Sequence, residues 1–278
     1  MSFMPPAASA TAPVGAQLRD WRQRRRLSQL DLATDADIST RHLSYVETGR
    51  SLPSREMLIR LAETLGVPLR ERNAMLTAAG YAPMYRERPL DDPALAAARR
   101  AVDLVLKGHE PYPALAVDRH WQLVAHNRAV APFLAGASPS LLAPPVNVLR
   151  LSLHPQGLAP RIVNLPQWRA HLLARLRQQV AASADRALAA LHDELAGYAA
   201  PGTPDDAHLP AGTSVAVPLQ LRLPDGGMLS FISTTTVFGT PVDITLAELA
   251  LETFFPADDA TADALRRLGD GQPGAAAA

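Results

Sequence analysis

The chain has 278 residues, 47% of them hydrophobic and 19% charged, and its 27 Lys+Arg balance 27 Asp+Glu. This is ordinary for a soluble globular protein, long enough for a sizeable core and for barely two domains. The absence of cysteine excludes a disulfide framework, a thiolate metal site and a cysteine nucleophile. The charge is unevenly spread. From Val14 to Arg88 there are 13 Arg against nine Asp and Glu, whereas from Pro89 onward 14 Arg and Lys face 18 Asp and Glu. A basic front and an acidic back suggest two modules with different partners. The opening residues lack a basic segment followed by an apolar one, and no apolar run approaches the ~20 residues of a membrane span. The expected location is the cytoplasm, with no membrane partner.

Residues 1–13 and 269–278 are small, Pro/Gly/Ala-biased and expected to be disordered tails. From Val14 to Gly80 the pattern is helical. Leu18, Trp21, Leu27, Leu30, Leu32 and Ala33 form one apolar stripe, and Ile38, Leu43 and Val46 a second. Leu58, Leu61, Ala62 and Leu65 form a third, with Ser54 as its N-cap and Gly66 as its left-handed terminator. Pro68 opens a fifth short helix reaching Ala79. Within this region lie two fragments too short to stand alone, Gln29–Thr34 and Ser39–Glu47, joined by Asp35-Ala36-Asp37. They can be stable only against other helices. The outer face of the second presents Thr40, Arg41, Ser44 and Tyr45, which suit a DNA major groove because Arg can pair bidentately with guanine. Gln29 opens the first, where an amide and helix N–H groups can hold phosphate.

Residues 81–93 carry three prolines and mixed charges, which makes them a linker between a domain at 14–80 and another at 94–268. A helix from Ala94 to Lys107 is expected next. Two short strands then flank a tight turn at Arg119-His120, followed by a short helix capped by Asn127. Asn164–Tyr198 reads as one long helical stretch with Trp168, Leu172, Leu173, Leu176 and Val180 on one face. The segment around Asp205-Asp206 is a loop. Val215, Val217, Leu219, Leu221 and Leu223 alternate before a Pro-Asp-Gly-Gly turn, and residues 228–232 run back as a hairpin. Residues 243–256 fit either helix or strand. Strand is favoured because a two-stranded hairpin needs further partners. The class is an all-α front with an α+β rear.

Several residues lend themselves to a plain and a sharper reading. Arg22 and Arg24–Arg26 are a solvated face or a phosphate-contacting cluster. His120 and His126 lie on different strands, and no metal-binding spacing is present. Ser138 sits in a segment without the second glycine of a nucleophile elbow. No catalytic constellation, cofactor or metal is expected, so the chain does not read as an enzyme.

Ser28-Gln29, Leu32-Ala33, Ile38-Ser39, Leu43, Val46-Glu47, Gly49-Arg50 and Pro53 resemble the signature of the Cro/phage-repressor, or XRE-type, helix-turn-helix. The resemblance covers about Val14–Ala79. It implies that Thr40, Arg41 and Tyr45 read bases, that Gln29, His42 and Arg50 contact or support phosphate, and that Ser39 and Ser44 belong to the same DNA-binding set. The turn commonly carries Gly where this chain has Asp37, and Asp tolerates the left-handed region better than most residues. Residues 112–127, Leu153–Pro155 and 229–261 resemble the MmyB-like regulators, which pair this motif with a PAS-like ligand-binding domain. That resemblance implies a central antiparallel sheet with helices over one face, an apolar cavity between them, strand at Leu246–Phe255, and a fatty-acid-like ligand. Trp121, Trp168, Leu172 and Phe231 are candidate apolar contacts. Asn127, Arg150, His154 and Arg161 are candidate polar ones.

The expectation is a multidomain, DNA-binding transcriptional regulator acting as a homodimer on a double-stranded operator. Three other readings stay open. The rear domain could be only a dimerisation platform, or it could be an enzyme tethered to DNA. The helix-turn-helix could contact only protein.

Overall fold

The computed structural model describes residues 12–198, 217–223 and 226–270. Most of the two expected tails, the loop at Asp205-Asp206 and Val215 lie outside the described residues. The chain forms two compact units, one built on the residues up to Glu87 and the other on nearly all that follow.

The first unit contains α1 (Val14–Arg24), α2 (Gln29–Asp35), α3 (Thr40–Glu47), α4 (Arg55–Thr64) and α5 (Leu69–Ala78). Serines start three of them. Ser28 forms a reciprocal capping box with Asp31, and the Ser39 and Ser54 hydroxyls accept from the N–H groups of His42 and Met57. Each satisfies an amide that a helix start leaves without a partner, worth about 1 kcal/mol per cap. Gly66 takes φ 59 and ends α4 as expected, and Asp37 takes φ 52 in the turn between α2 and α3. Leu18, Leu32, Leu43, Val46, Leu58, Leu61 and Leu76 are buried together. Leu30 does not join them and is 64% exposed. It lies two residues from Leu32, about 200° around the helix at 3.6 residues per turn, so the two cannot share a face. Gly15 sets the approach of α1 to α3. A Cβ there would meet the Val46 carbonyl oxygen at 2.2 Å.

The second unit opens with a single turn at Pro93–Leu95 and α6 (Ala96–Gly108), then β1 (Ala114–Val117) and β2 (Leu123–His126). Three short helices follow: α7 (Ala131–Leu134), α8 (Pro139–Leu142) and α9 (Val148–Leu153). Next come α10 (Leu165–Ser183), α11 (Arg186–Ala196), β3 (Leu219–Arg222), β4 (Met228–Val237), α12 (Ile244–Ala247), β5 (Ala250–Pro256) and α13 (Asp259–Asp270). The five strands form one antiparallel sheet in the order β2-β1-β5-β4-β3. The expected hairpin is β3–β4, with Leu221 opposite Leu229.

Alternation divides the sheet's residues between two cores. Ala114, Ala116 and Leu251 pack with Val102 and Leu106 of α6. Val117, Leu229 and Phe231 pack on the other side with Trp168, Leu172 and Leu176 of α10. Helices therefore cover both faces, not one. The long stretch at Asn164–Tyr198 is also two helices. Ala184 adopts φ 60, which stops α10, and the Asp185 carboxylate caps α11 by accepting from Ala187 and Leu188. Residues 243–256 divide the two readings between them, since one helical turn at α12 precedes β5. Strand therefore begins at Ala250, later than the expected Leu246. At the far end, α13 continues through Gly269 and Asp270, two residues expected in the tail.

Candidate functional site

Two surfaces bring candidate residues together, one in each unit. In the first unit, Leu43 and Val46 fix the inner side of α3. Arg41 is exposed on its outer side, and Thr40, Ser44 and Tyr45 are half-buried. The Arg41 Nε donates to the Tyr45 hydroxyl at 3.0 Å. The Arg41 and Arg50 guanidinium groups lie 5.4 and 5.9 Å from the Tyr45 ring centroid. One aromatic ring thus pre-positions two cations.

The remaining candidates of this set are engaged by the fold itself. Ser39 is spent as the cap of α3. The His42 Nε2 lies 3.2 Å from the Met57 sulfur. The Gln29 amide donates to Glu47 at 2.8 Å, so that N–H faces the fold and not a phosphate. Glu47 is also gripped by Arg22, through Nε at 2.6 Å and Nη2 at 2.8 Å. Burial opposes ionisation of Glu47, but the Arg22 and Gln29 hydrogen bonds outweigh it and hold the carboxyl below the usual carboxylate range. Arg22 is therefore structural. Arg25 is engaged as well, donating to the Leu65 and Gly66 carbonyls.

In the second unit, an apolar cavity of about 120 Å3 lies between the sheet and α9–α10. That is close to the size of engineered cavities that take up benzene. Four of the eight ligand candidates line it: Trp121, Trp168, Leu172 and Phe231. The polar four do not. Asn127 is buried and occupied by Ala114, Leu106 and Tyr112, so it ties β1 to α6 and caps nothing through its side chain. Arg150 forms a bidentate pair with Glu194. Arg161 donates to the Phe133, Ala135 and Arg222 carbonyls. The His154 Nδ1 accepts from the Gln156 amide.

Other polar groups on the cavity wall were missed in the sequence. Arg175 and Glu252 line it together with Ser152. Arg175 stacks 4.5 Å from the Trp121 ring centroid, whose Nε1 donates to Gln179 at 2.8 Å. The Trp168 Nε1 donates to Ser152 at 3.1 Å, and the Trp168 ring stacks on His171. Burial, followed by the Arg175 charge, lowers the His171 pKa from its ordinary value, which favours the neutral ring. Trp121 itself sits at φ 63. Such a conformation costs a bulky residue about 1–3 kcal/mol, and it is held here by a turn in which Asp118 accepts from the amides of His120 and Gln122. Helical periodicity could have found Arg175, one turn before Gln179 and one turn after His171. Glu252 carried a signal too, as the one charged residue of its strand.

Two curated relatives are similar to part of the chain. Multiprotein-bridging factor 1 of Candida albicans is 35% identical over 60 residues, and that of Debaryomyces hansenii is 37% identical over 60 residues. Each match covers 22% of this chain and 40% of the relative, so the chain spans less than half the length of either. A solved structure of an RNA-binding light-oxygen-voltage receptor aligns over 95% of this chain and 66% of its own, at 13% identity and a TM-score of 0.25. The model of a helix-turn-helix domain matches residues 13–75, and that of the MmyB-like transcription regulator ligand binding domain matches residues 98–268. The second match spans more than half of the chain and contains the cavity, and the first contains α2 and α3. The chain belongs to the MmyB-like transcription regulators, with a helix-turn-helix DNA-binding domain in front of a ligand-binding domain.

Proposed function

We propose that this regulator binds its operator as a homodimer in the cytoplasm, and that a small apolar molecule in the rear cavity changes its affinity for DNA. The supporting observation for DNA reading is the face of α3, where Arg41, Tyr45 and Arg50 form one stacked group beside Thr40 and Ser44. One recognition helix reads only a few base pairs. Two copies on one face of the duplex need half-sites about 10–10.5 base pairs apart, or a multiple of that. The cavity supports sensing over a rear domain that only dimerises, because a pure platform has no need of an apolar cavity beside a strained tryptophan. The occupant is fatty-acid-like in having a short hydrocarbon chain with one polar group. The domain boundaries of this reading are 14–80 for the DNA-binding domain, 81–93 for the linker and 94–268 for the ligand-binding domain.

A second reading, in which the helix-turn-helix contacts protein, draws on the name of the fungal relatives, which speaks of bridging proteins. DNA affinity as a function of salt separates the two. Neutralising Z phosphates gives a slope of log K against log salt of about −0.9Z. A steep slope on sites selected from random duplexes supports DNA reading. No selected site and a flat slope would favour protein contact.

A further inference from the structure

We propose that the rear cavity selects a neutral carbonyl compound, such as an ester, a lactone or a ketone on a short hydrocarbon chain, and discriminates against a free carboxylate. This rests on the cavity being the sensor site and narrows its ligand. Arg175 of α10 is the one cation on the cavity wall, and Glu252 of β5 is the one anion, among the described residues. The two already neutralise each other. The Arg175 Nη1 donates to the Glu252 Oε2 at 3.0 Å, and Nη2 donates to Oε1. The Thr235 hydroxyl closes the group, accepting from Arg175 Nη2 at 2.6 Å and lying 2.9 Å from the Glu252 Oε1. The Glu252 side chain is only 5% exposed.

The pair carries no net charge, so a carboxylate ligand that took Arg175's remaining N–H groups would set a second negative charge beside the buried Glu252 carboxylate with a single cation to serve both. Two buried anions sharing one cation is a costly arrangement in a protein interior. A neutral ligand brings no second charge. What the wall still offers is donors. A guanidinium has five N–H groups, and Glu252 and Thr235 meet only three of them. The Ser152 hydroxyl accepts from Trp168 and keeps its own proton to give. Spare donors on an otherwise apolar wall suit a ligand with an acceptor and no charge. A carbonyl oxygen meets that description, and a carboxylate does not.

The test compares octanoate with methyl octanoate and octan-2-one on the full chain at neutral pH. Tryptophan fluorescence is one readout, since Trp121 and Trp168 line the cavity, and the melting temperature is the other. The ester and the ketone are expected to bind at least about tenfold tighter than the acid. Equal or tighter binding of octanoate overturns the inference while leaving the cavity as a ligand site. Failure of all three compounds to bind overturns the sensor reading and this inference with it. In the second arm, Glu252→Gln keeps the side chain's shape and frees the Arg175 charge. It is expected to raise octanoate affinity about tenfold relative to that of methyl octanoate. A folded Glu252→Gln protein with unaltered selectivity contradicts the inference. If the variant does not fold, the wild-type series decides alone.

Discussion

Arg41 and Arg50 flank the same tyrosine ring, yet they are assigned different work. Arg41 is exposed on the outer side of α3, and under the proposal that this helix reads bases its replacement by alanine is expected to weaken the cognate site by about 1–3 kcal/mol and to relax one base position. Arg50 lies beyond the end of α3, and the same proposal gives it a phosphate, a contact that carries no sequence information. Arg50→Ala is therefore expected to weaken cognate and random DNA alike. Binding measured on a panel of single-base variants distinguishes the two, and a uniform loss in both mutants contradicts the assignment. Glu47 makes a prediction about stability. Its folded pKa is depressed, so the native state prefers the ionised form more strongly than the unfolded chain does. The resulting stabilisation is fully present above the ordinary value of 4.5 and is lost as pH falls through the lower folded value. Glu47→Ala leaves Arg22 nearly buried without its partner and is expected to cost about 3–5 kcal/mol at neutral pH. In urea titrations the gap between wild type and mutant narrows as pH drops below that ordinary value. A gap that stays constant into strong acid contradicts this account of the pair.

Among the elements, the sequence was most legible where local chemistry decides the outcome. The Ser54 cap, the left-handed Gly66 and the β3–β4 hairpin follow from rules spanning a few residues. Asp37 was expected to stand in for a turn glycine and does so. Less was legible where distant contacts decide. Nothing local marks Ala184 as a left-handed break, since alanine favours helix; it is Asp185 as a cap that makes the break tolerable. Asn127 had the right spacing for a cap, but its amide is drawn to three backbone groups on other elements. The same limit explains the ligand candidates. Aromatic and aliphatic wall residues could be inferred from periodicity, whereas Arg150 and Arg161 could not be told from Arg175 without knowing that Glu194 and three carbonyls occupy them. Gly15 gave no signal because its role is an approach between two helices. Gly15→Ala forces a Cβ against the Val46 backbone oxygen and should destabilise the helical unit by about 1–3 kcal/mol. Thermal unfolding indistinguishable from wild type would mean that α1 can move aside without cost.

At the scale of the whole molecule, a DNA-reading unit and a ligand-binding unit share one chain, and a regulator requires their equilibria to be linked. Linkage is reciprocal: if ligand changes DNA affinity by some factor, DNA changes ligand affinity by the same factor. A typical coupling of about 1–3 kcal/mol corresponds to a change of about 5–150-fold. A ligand that binds without any difference between the two states shifts nothing, however tight it is. The most direct measurement is the dissociation constant for a selected operator duplex, with and without methyl octanoate at a concentration that saturates the melting-temperature shift. The expected result is a change of at least about fivefold, in either direction, matched by an equal change in methyl octanoate affinity when operator is present. A saturated melting shift with an unchanged operator affinity would contradict the claim that this cavity controls DNA binding.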